Sequence, residues 1–135
     1  MNLPKKLMTL SFAAMMLPTF AADNLPQGVP DFSTIKETDY LPALEKAIQQ
    51  KRQEIQAIVA NQQKPTFKNT ILALEQSGLE LDKWLNVFEG LTSAHKTPIL
   101  AETEKQVTPL LTALENEISF NKALFQRIKF VYDKE

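Results

Sequence analysis

The fold of this 135-residue chain is decided by residues 39–61, which read DYLPALEKAIQQKRQEIQAIVAN. Thr38 or Asp39 can cap a helix at the start of this stretch, and Pro42 falls in the first turn, where its missing N–H is tolerated. The apolar side chains recur at steps of three and four residues and form one face: Leu41, Leu44, Ile48, Ile55 and Ile58. The pattern predicts a long helix over 39–61. Lys51 interrupts its apolar face and is expected at an edge of that face that contacts water.

A second helix is predicted after the Lys64-Pro65 dipeptide, because Thr66 can cap it. Its apolar seam consists of Ile71, Leu74, Gly78, Leu81, Leu85 and Phe88. Since the phase of this seam continues through Gly78, we predict one long helix to about His95, with a neighbouring helix approaching closely at the glycine. A helix that ends at Gly78 with a glycine C-cap is the alternative.

Two further helices are predicted from local start signals. Thr97 and Pro98 suit the cap and the first position of a third helix, whose apolar residues are Leu100, Val107, Leu111, Leu114 and Ile118. Pro109 lies inside this helix and is expected to kink it or shift it by a turn. Asn121 can cap a fourth helix that carries Leu124, Phe125, Ile128, Val131 and Tyr132. The short connections predict an all-α domain of antiparallel long helices and helical hairpins over residues 38–135.

The first residues have the pattern of a secretory signal peptide. Lys5 and Lys6 precede an apolar run over residues 7–17, and small residues follow at the positions before a cleavage site. We therefore expect an exported chain with a signal peptide over residues 1–21 and an extended lead-in over 22–37. A buried amphipathic helix in place of the signal peptide is the alternative. The absence of cysteine fits the bacterial periplasm better than a disulfide-rich extracellular setting, and no membrane contact is expected after cleavage.

Composition excludes several classes of function. Three glycines without a Gly-x-Gly cluster exclude the phosphate-binding loops of nucleotide-binding proteins, and the lack of cysteine excludes thiolate metal sites. The formal net charge is −1, and the scattered lysines offer no basic stripe for nucleic acid. His95 is the one histidine, so a site of several histidines cannot form within this chain, and we expect His95 at a surface or a helix end.

No catalytic arrangement emerges from the remaining side chains. Glu102 and Glu104, like Glu115 and Glu117, are two residues apart, so the members of each pair point to different faces of a helix. The aromatic residues fall mostly on apolar phases and are expected in the core: Phe67, Trp84, Phe88, Phe120, Phe125, Phe130 and Tyr132. The sequence therefore assigns no catalytic, cofactor-binding or metal-binding residue to this chain, and the chain alone is predicted to be inactive.

A family resemblance is carried by four stretches in order along the chain: DYLPALE at 39–45, PTFKNTILALE at 65–75, LTSA at 91–94 and NKALFQRIK at 121–129. Together they resemble the amino-terminal region of the thimet-oligopeptidase-type zinc metallopeptidases, which include peptidyl-dipeptidases and oligopeptidase A. The resemblance extends from about Asp31 to the last residue, and the stretch at 65–75 is its most specific part.

The resemblance implies a much longer, mostly helical protein of two lobes, with a deep channel that admits short peptides. In that family a His-Glu-x-x-His helix and a later glutamate bind one zinc ion, which activates a water while the glutamate of the motif acts as general base. The amino-terminal helices belong to a lobe that covers the channel and restricts access. This sequence departs from the pattern because it contains no His-Glu-x-x-His, so no catalytic or metal residue can be carried over.

The leading hypothesis is the exported, channel-covering helical portion of a zinc peptidase whose catalytic lobe is absent from these residues. Its partners are then the remainder of the peptidase and, in the whole protein, short peptides. Its wide apolar faces are expected to lie exposed for the missing lobe, and the last helix reaches residue 135 without a stop signal. The alternatives are a non-catalytic periplasmic module that binds peptides or a partner helix, and a lone structural bundle. The sequence does not separate peptidyl-dipeptidase from oligopeptidase specificity.

Overall fold

Residues 34–134 are described by a computed structural model, and all of their regular structure is helical. The predicted all-α fold class is therefore confirmed. The elements are a 3-10 turn (Glu37–Asp39), α1 (Tyr40–Ala60), a π-helical turn (Phe67–Leu72) that runs into α2 (Ala73–Gln76), α3 (Leu79–Ala94), α4 (Pro98–Ser119) and α5 (Lys122–Tyr132). The predicted signal peptide over 1–21 and most of the lead-in over 22–37 lie outside the described residues. None of the helices between residues 34 and 134 combines the length and the apolar character that crossing a membrane requires.

α1 contacts both α3 and α4, and it runs antiparallel to α3. Tyr40, at the start of α1, packs against Phe88 near the end of α3, with ring centroids 5.7 Å apart. Toward the other end of α1, Oε2 of Glu54 accepts the backbone N–H of Gly78, just before α3, at 2.7 Å. These two contacts confirm the antiparallel arrangement that the short connection predicts.

α4 runs in the same direction as α1. The hydroxyl of Thr97, at the start of α4, donates to Oε2 of Glu37, just before α1 begins, at 2.7 Å. Toward the far ends of the two helices, Nε of Arg52 donates to Oε2 of Glu117 at 2.6 Å. Since α3 is antiparallel to α1, it is antiparallel to α4 as well.

Within residues 34–134 the core consists of two clusters. The larger one joins α1, α3 and α4, and its buried members are Tyr40, Leu44, Ala47, Ile48, Leu81, Phe88, Leu100, Val107 and Leu114. The smaller one lies at the end of α1 and comprises Ile55, Ile58 and Leu124, with partly buried residues of α2, α4 and α5 packed against it. α5 therefore packs at the end of α1 and does not extend the larger cluster.

Two of the predicted helix starts are confirmed by their caps. Oγ1 of Thr97 accepts the backbone N–H of Leu100 at 3.3 Å, and Oδ1 of Asn121 accepts that of Leu124 at 2.9 Å. Each cap satisfies a donor that the first turn of the helix leaves free. α4 continues through Pro109 over its whole length, so the kink at this residue stays a prediction.

The start of α1 differs from the prediction, in which Thr38 or Asp39 caps the helix. Asp39 precedes α1, but its side chain makes no cap hydrogen bond to it. The Asp39 carboxylate instead accepts the backbone N–H of Lys36 at 2.9 Å. The Asp39 carboxylate, which the sequence pattern assigns to the cap of α1, therefore accepts a hydrogen bond within the 3-10 turn instead.

The single long helix predicted through Gly78 is wrong, and the alternative of a helix end at this residue is confirmed. α2 ends before Ser77, whose hydroxyl donates to the carbonyl oxygen of Leu74 at 2.6 Å. Gly78 then adopts the left-handed region with φ +82°, and α3 begins at the next residue. The close approach expected here is made by the Lys51 side chain of α1, because a β-carbon at Gly78 would lie 2.5 Å from its Cδ atom.

We expect Gly78→Ala to destabilise the fold by about 1–2 kcal/mol, because a left-handed backbone costs a residue with a β-carbon roughly that amount. The matched variant Gly90→Ala should instead stabilise by about 0.5–1 kcal/mol, because glycine is unfavourable inside a helix. A β-carbon at Gly90 has no neighbouring atom within 4 Å. Urea denaturation followed by circular dichroism measures both variants, and a stabilising effect of Gly78→Ala would contradict the left-handed assignment.

Candidate functional site

Residues 65–75, the most specific part of the family resemblance, form a hydrogen-bonded turn at the entry to α2. The backbone N–H of Thr66 donates to Oδ1 of Asn69 at 2.8 Å, and the N–H of Asn69 donates to Oγ1 of Thr66 at 3.1 Å. This reciprocal pair is a capping box with asparagine as its third residue, and it confirms Thr66 as a cap. Nδ2 of Asn69 also donates to the carbonyl oxygen of Lys64 at 2.9 Å, so one side chain fixes the entry to the π-helical turn.

Arg127 of α5 reaches the same turn, and we define the Arg127 junction as Arg127 with its four acceptors. Nη1 of Arg127 donates to the carbonyl oxygen of Asn61 at 2.7 Å and makes a longer contact, 3.4 Å, with that of Gln63. Nη2 donates to Oδ1 of Asn69 at 3.2 Å and to Oγ1 of Thr70 at 3.4 Å. One guanidinium therefore joins α5 to the connection after α1 and to the π-helical turn.

The Arg127 junction brings together two of the four family-like stretches, 65–75 and 121–129. Periodicity does not predict it, because its partners lie 57 to 66 residues apart in the chain. The available signal is Arg127 itself, which interrupts the apolar side of α5 between Leu124 and Val131. Its acceptors are carbonyl and hydroxyl oxygens, so the junction is a structural contact that orients α5.

His95 lies at the carboxyl end of α3, where it is exposed, and its backbone N–H donates to the carbonyl oxygen of Leu91 at 2.8 Å. The expected position at a helix end and surface is confirmed. Within residues 34–134 no group of three or more histidine, cysteine, aspartate or glutamate side chains could hold a metal ion. The residues in this part of the chain therefore do not fit the zinc ion that the resemblance implies, and no catalytic step is assigned to them.

The carboxylates of Glu102 and Glu104 have different partners on the surface of α4. Oε1 of Glu102 accepts a hydrogen bond from Nε2 of Gln106 at 3.0 Å. Glu104 forms an ion pair with Lys96, which precedes the helix. Each carboxylate therefore makes its own local contact.

Glu117 is paired with Arg52, while Glu115 lies two residues before it on the exposed surface of α4. The Arg52 guanidinium donates to the two carboxylate oxygens of Glu117 at 2.6 and 3.0 Å, a bidentate geometry that favours both charges. This hydrogen bonding lowers the pKa of Glu117 and raises the pKa of Arg52, and it outweighs desolvation, which acts in the opposite direction on each.

The ion pair predicts an acid-sensitive part of the stability. Because the pKa of Glu117 is lower in the folded chain, its contribution is fully present above the ordinary value of 4.5 and is lost as the pH falls through the lower folded pKa. We expect Glu117→Gln to lower the urea midpoint at about pH 7 and to leave it nearly unchanged at about pH 2. The effect at neutral pH should be small, since half of the Glu117 side chain is exposed.

The control for this titration is Glu115→Gln, which removes the same charge without touching Arg52. Its urea midpoint should follow that of the unsubstituted chain across the acid range. A Glu117→Gln effect of equal size at both ends of the pH range would show that the ion pair does not cause it.

The aromatic residues, all expected in the core, divide into two groups. Phe88 is buried, and Trp84 packs edge-on against Tyr40 with ring centroids 6.2 Å apart. Phe130 is half-buried, with Nζ of Lys64 lying 5.6 Å from its ring centroid. The prediction is wrong for four others, which are more than half exposed: Phe67, Phe120, Phe125 and Tyr132. Apolar periodicity places a residue on a helix face but does not show whether another element covers that face.

Two of the exposed aromatic residues belong to α5, and we define them as the aromatic face: Phe125 and Tyr132. Phe120, which is also exposed, follows the last residue of α4. Phe120 and Tyr132 are each 83% exposed, and Phe125 is 61% exposed. Phe125 and Tyr132 lie on the same side of α5 because they are seven residues, about two turns, apart. The side that carries Leu124 and Val131 is buried.

Comparison with known proteins reveals similarity to two bacterial enzymes named dipeptidyl carboxypeptidase. The chain is 40% identical to the Salmonella typhimurium protein over 117 residues, which are 87% of this chain and 17% of that protein. It is 41% identical to the Escherichia coli protein over 119 residues, which are 88% of this chain and 18% of that protein. Oligopeptidase A of Haemophilus influenzae is 31% identical over 99 residues, which are 73% of this chain and 14% of that protein.

No family model matches the chain. The chain spans less than a fifth of the length of each of these relatives. The names of the relatives agree with the resemblance carried by the four sequence stretches. The chain therefore matches a fragment of the thimet-oligopeptidase-type metallopeptidases.

Proposed function

We propose that the chain is the amino-terminal, channel-covering helical part of an exported zinc metallopeptidase that hydrolyses short peptides. The observation that carries the proposal is the extent of the match, which covers 87–88% of this chain but only 17–18% of the two dipeptidyl carboxypeptidases. Nearly the whole chain thus corresponds to a small part of each enzyme. In this proposal residues 38–135 form the helical domain, and the rest of the polypeptide supplies the catalytic lobe.

The zinc ligands and the general base are proposed to lie outside this chain. A His-Glu-x-x-His helix needs two histidines, and the chain has only His95. The carboxylates of Glu102, Glu104 and Glu117 already have partners of their own on α4. The contribution of this part is then architectural, because its helices would limit which peptides reach the catalytic lobe.

The dipeptidyl carboxypeptidase type of activity is favoured over the oligopeptidase A type. The two dipeptidyl carboxypeptidases share 40–41% identity with this chain over 117–119 residues, while oligopeptidase A shares 31% over 99 residues. We therefore propose that the whole protein removes dipeptides from the carboxyl ends of short peptides.

A chimera tests the proposal. The 119 aligned residues of the Escherichia coli dipeptidyl carboxypeptidase are replaced by the matching residues of this chain, and release of carboxyl-terminal dipeptides from a short blocked peptide is measured. We expect kcat/KM within about tenfold of the parent enzyme, a change of about 1.4 kcal/mol in the activation free energy. The same enzyme with the 119 residues deleted serves as the control and should lose activity.

Two results would overturn the proposal. The first is a chimera that is folded, as judged by circular dichroism and gel filtration, but has no more activity than the deletion control. The second is chelator-sensitive peptide cleavage by the purified chain alone, because the chemistry would then reside in these residues.

Export is proposed from residues 1–21, whose basic start and apolar run suit a signal peptide. When the whole chain is expressed in Escherichia coli, we expect a periplasmic product that begins at Ala22. Intact-mass measurement of the periplasmic and cytoplasmic fractions tests this expectation. A variant with Leu10 changed to Arg should stay uncleaved, because a charge interrupts the apolar run. An uncleaved unsubstituted chain confined to the cytoplasm would contradict the proposal.

A further inference from the structure

The aromatic face of α5 is unusual because the helix needs neither of its two residues for its own packing. Leu124 and Val131 bury a neighbouring side of α5, about 100° round the helix from Phe125 and Tyr132, and Arg127 ties the helix to the turn at residues 65–75. Phe125 and Tyr132 remain 61% and 83% exposed. The helix is thus anchored along one side and presents a preorganised aromatic surface next to it, which reduces the entropic cost of binding there.

The charges around this surface favour an apolar protein partner. Lys129 lies on α5 between Phe125 and Tyr132, and its Nζ is paired with Oδ2 of Asp133 at 2.6 Å. The positive charge of Lys129 is therefore locally balanced. Lys122, exposed and seven residues earlier, adds one positive charge on this side, far short of the basic cluster that attracts an anionic lipid surface or nucleic acid. Exposed aromatic side chains are enriched in protein interfaces, where each buries a large apolar area.

The size of the relatives indicates which protein covers the surface. More than four-fifths of each dipeptidyl carboxypeptidase lies outside the region that matches this chain. We propose that the aromatic face, Phe125 and Tyr132, is the docking surface for the remaining polypeptide of the peptidase. This inference rests on the proposed function, and it adds the side of the domain on which the rest of the enzyme packs.

Thiol labelling tests the proposal, because the chain has no cysteine of its own. Phe125→Cys and Tyr132→Cys are made one at a time in the isolated chain and in the active chimera described above, so that the other aromatic residues stay in place. The matched control is Gln126→Cys, which is exposed on α5 but points away from the aromatic face. Maleimide modification at each position is followed by peptide mass spectrometry, which separates these sites from other thiols of the chimera.

We expect Phe125→Cys and Tyr132→Cys to react about tenfold or more slowly in the chimera than in the isolated chain, because docking excludes the reagent. Gln126→Cys should react at about the same rate in both. Equal rates at all three positions in a chimera that hydrolyses peptide would overturn the docking surface while leaving the proposed function intact. Equal slowing of Gln126→Cys would also overturn it, because protection would not be confined to the aromatic face.

Two further outcomes are decisive. A chimera that is folded by circular dichroism and gel filtration but has no peptidase activity would contradict the proposed function itself, and with it the inference. Slow labelling of Phe125→Cys and Tyr132→Cys in the isolated chain, relieved by dilution, would show that a second copy of the chain covers the surface, and this would overturn the assignment to the remaining polypeptide.

Discussion

Arg127→Ala should lower the free energy of unfolding by about 2–4 kcal/mol, because charged donors form the stronger hydrogen bonds and their removal leaves acceptors unpaired. The guanidinium donates to the carbonyl oxygen of Asn61 at 2.7 Å and to Oδ1 of Asn69 at 3.2 Å, with longer contacts to two further acceptors. Its Nε is buried without a hydrogen-bond partner within residues 34–134, which reduces the net contribution of the side chain. Urea denaturation followed by circular dichroism gives the change.

The control for Arg127→Ala is Lys122→Ala, which removes a positive charge from an exposed position in the first turn of α5. We expect it to change stability by no more than about 0.5 kcal/mol. Amide hydrogen exchange should show that Arg127→Ala opens α5 and residues 65–75 before the larger cluster. Equal effects of the two variants, or earlier exchange in α3, would contradict the role assigned to the Arg127 junction.

Leu44→Ala should destabilise the chain by about 2–5 kcal/mol, because it removes buried methyl groups and leaves a cavity. Leu44 is 0% exposed and belongs to the larger cluster, where side chains of α1, α3 and α4 meet. Leu44 lies among other closely packed buried residues of these three helices, so we expect the neighbouring side chains to move little into the cavity. The unfolding midpoints in urea and on heating should both fall.

The matched control is Leu79→Ala, which removes the same methyl groups from a side chain that is 62% exposed at the start of α3. We expect a loss below about 1 kcal/mol, because little apolar area is returned to water. A Leu44→Ala effect as small as that of Leu79→Ala would contradict the assignment of Leu44 to the centre of the core.

The helix starts at Thr97 and Asn121 could be predicted from the sequence because their causes are local. A capping side chain bonds a backbone N–H three residues away, so the pattern contains both partners. The cap predicted for α1 failed for a related reason. The Asp39 carboxylate could accept an N–H from the first turn of α1 or the N–H of Lys36 at the start of the 3-10 turn. It accepts the N–H of Lys36.

The break at Gly78 could not be predicted from periodicity, because the apolar phase of the segment is unchanged across it. Leu74 and Leu81 are seven residues apart, so the sequence pattern puts them on one side of a continuous helix. In the structure, Leu74 packs against the smaller cluster and Leu81 lies in the larger one. The break is stabilised by Glu54, which lies 24 residues earlier and accepts the Gly78 N–H. Only the choice of glycine itself indicated the left-handed alternative.

The candidate site was the least predictable part, because it depends on contacts between residues distant in sequence and on which helix surfaces no other element covers. The sequence placed Phe125 and Tyr132 on an apolar phase, but their exposure depends on what packs against α5. Arg127 looked like one residue of a family-like stretch, and its acceptors at Asn61 and Asn69 became evident only in the fold. The expectation that apolar surface would lie uncovered did follow from the width of the predicted faces.

Sequencing of the full-length transcript that encodes this chain tests the central claim most directly, namely that these residues are one part of a longer peptidase. We predict that the reading frame continues beyond the codon for residue 135 and encodes a His-Glu-x-x-His motif followed by a later glutamate. A stop codon directly after that codon, in a message that is translated, would contradict this claim and favour a non-catalytic binding module.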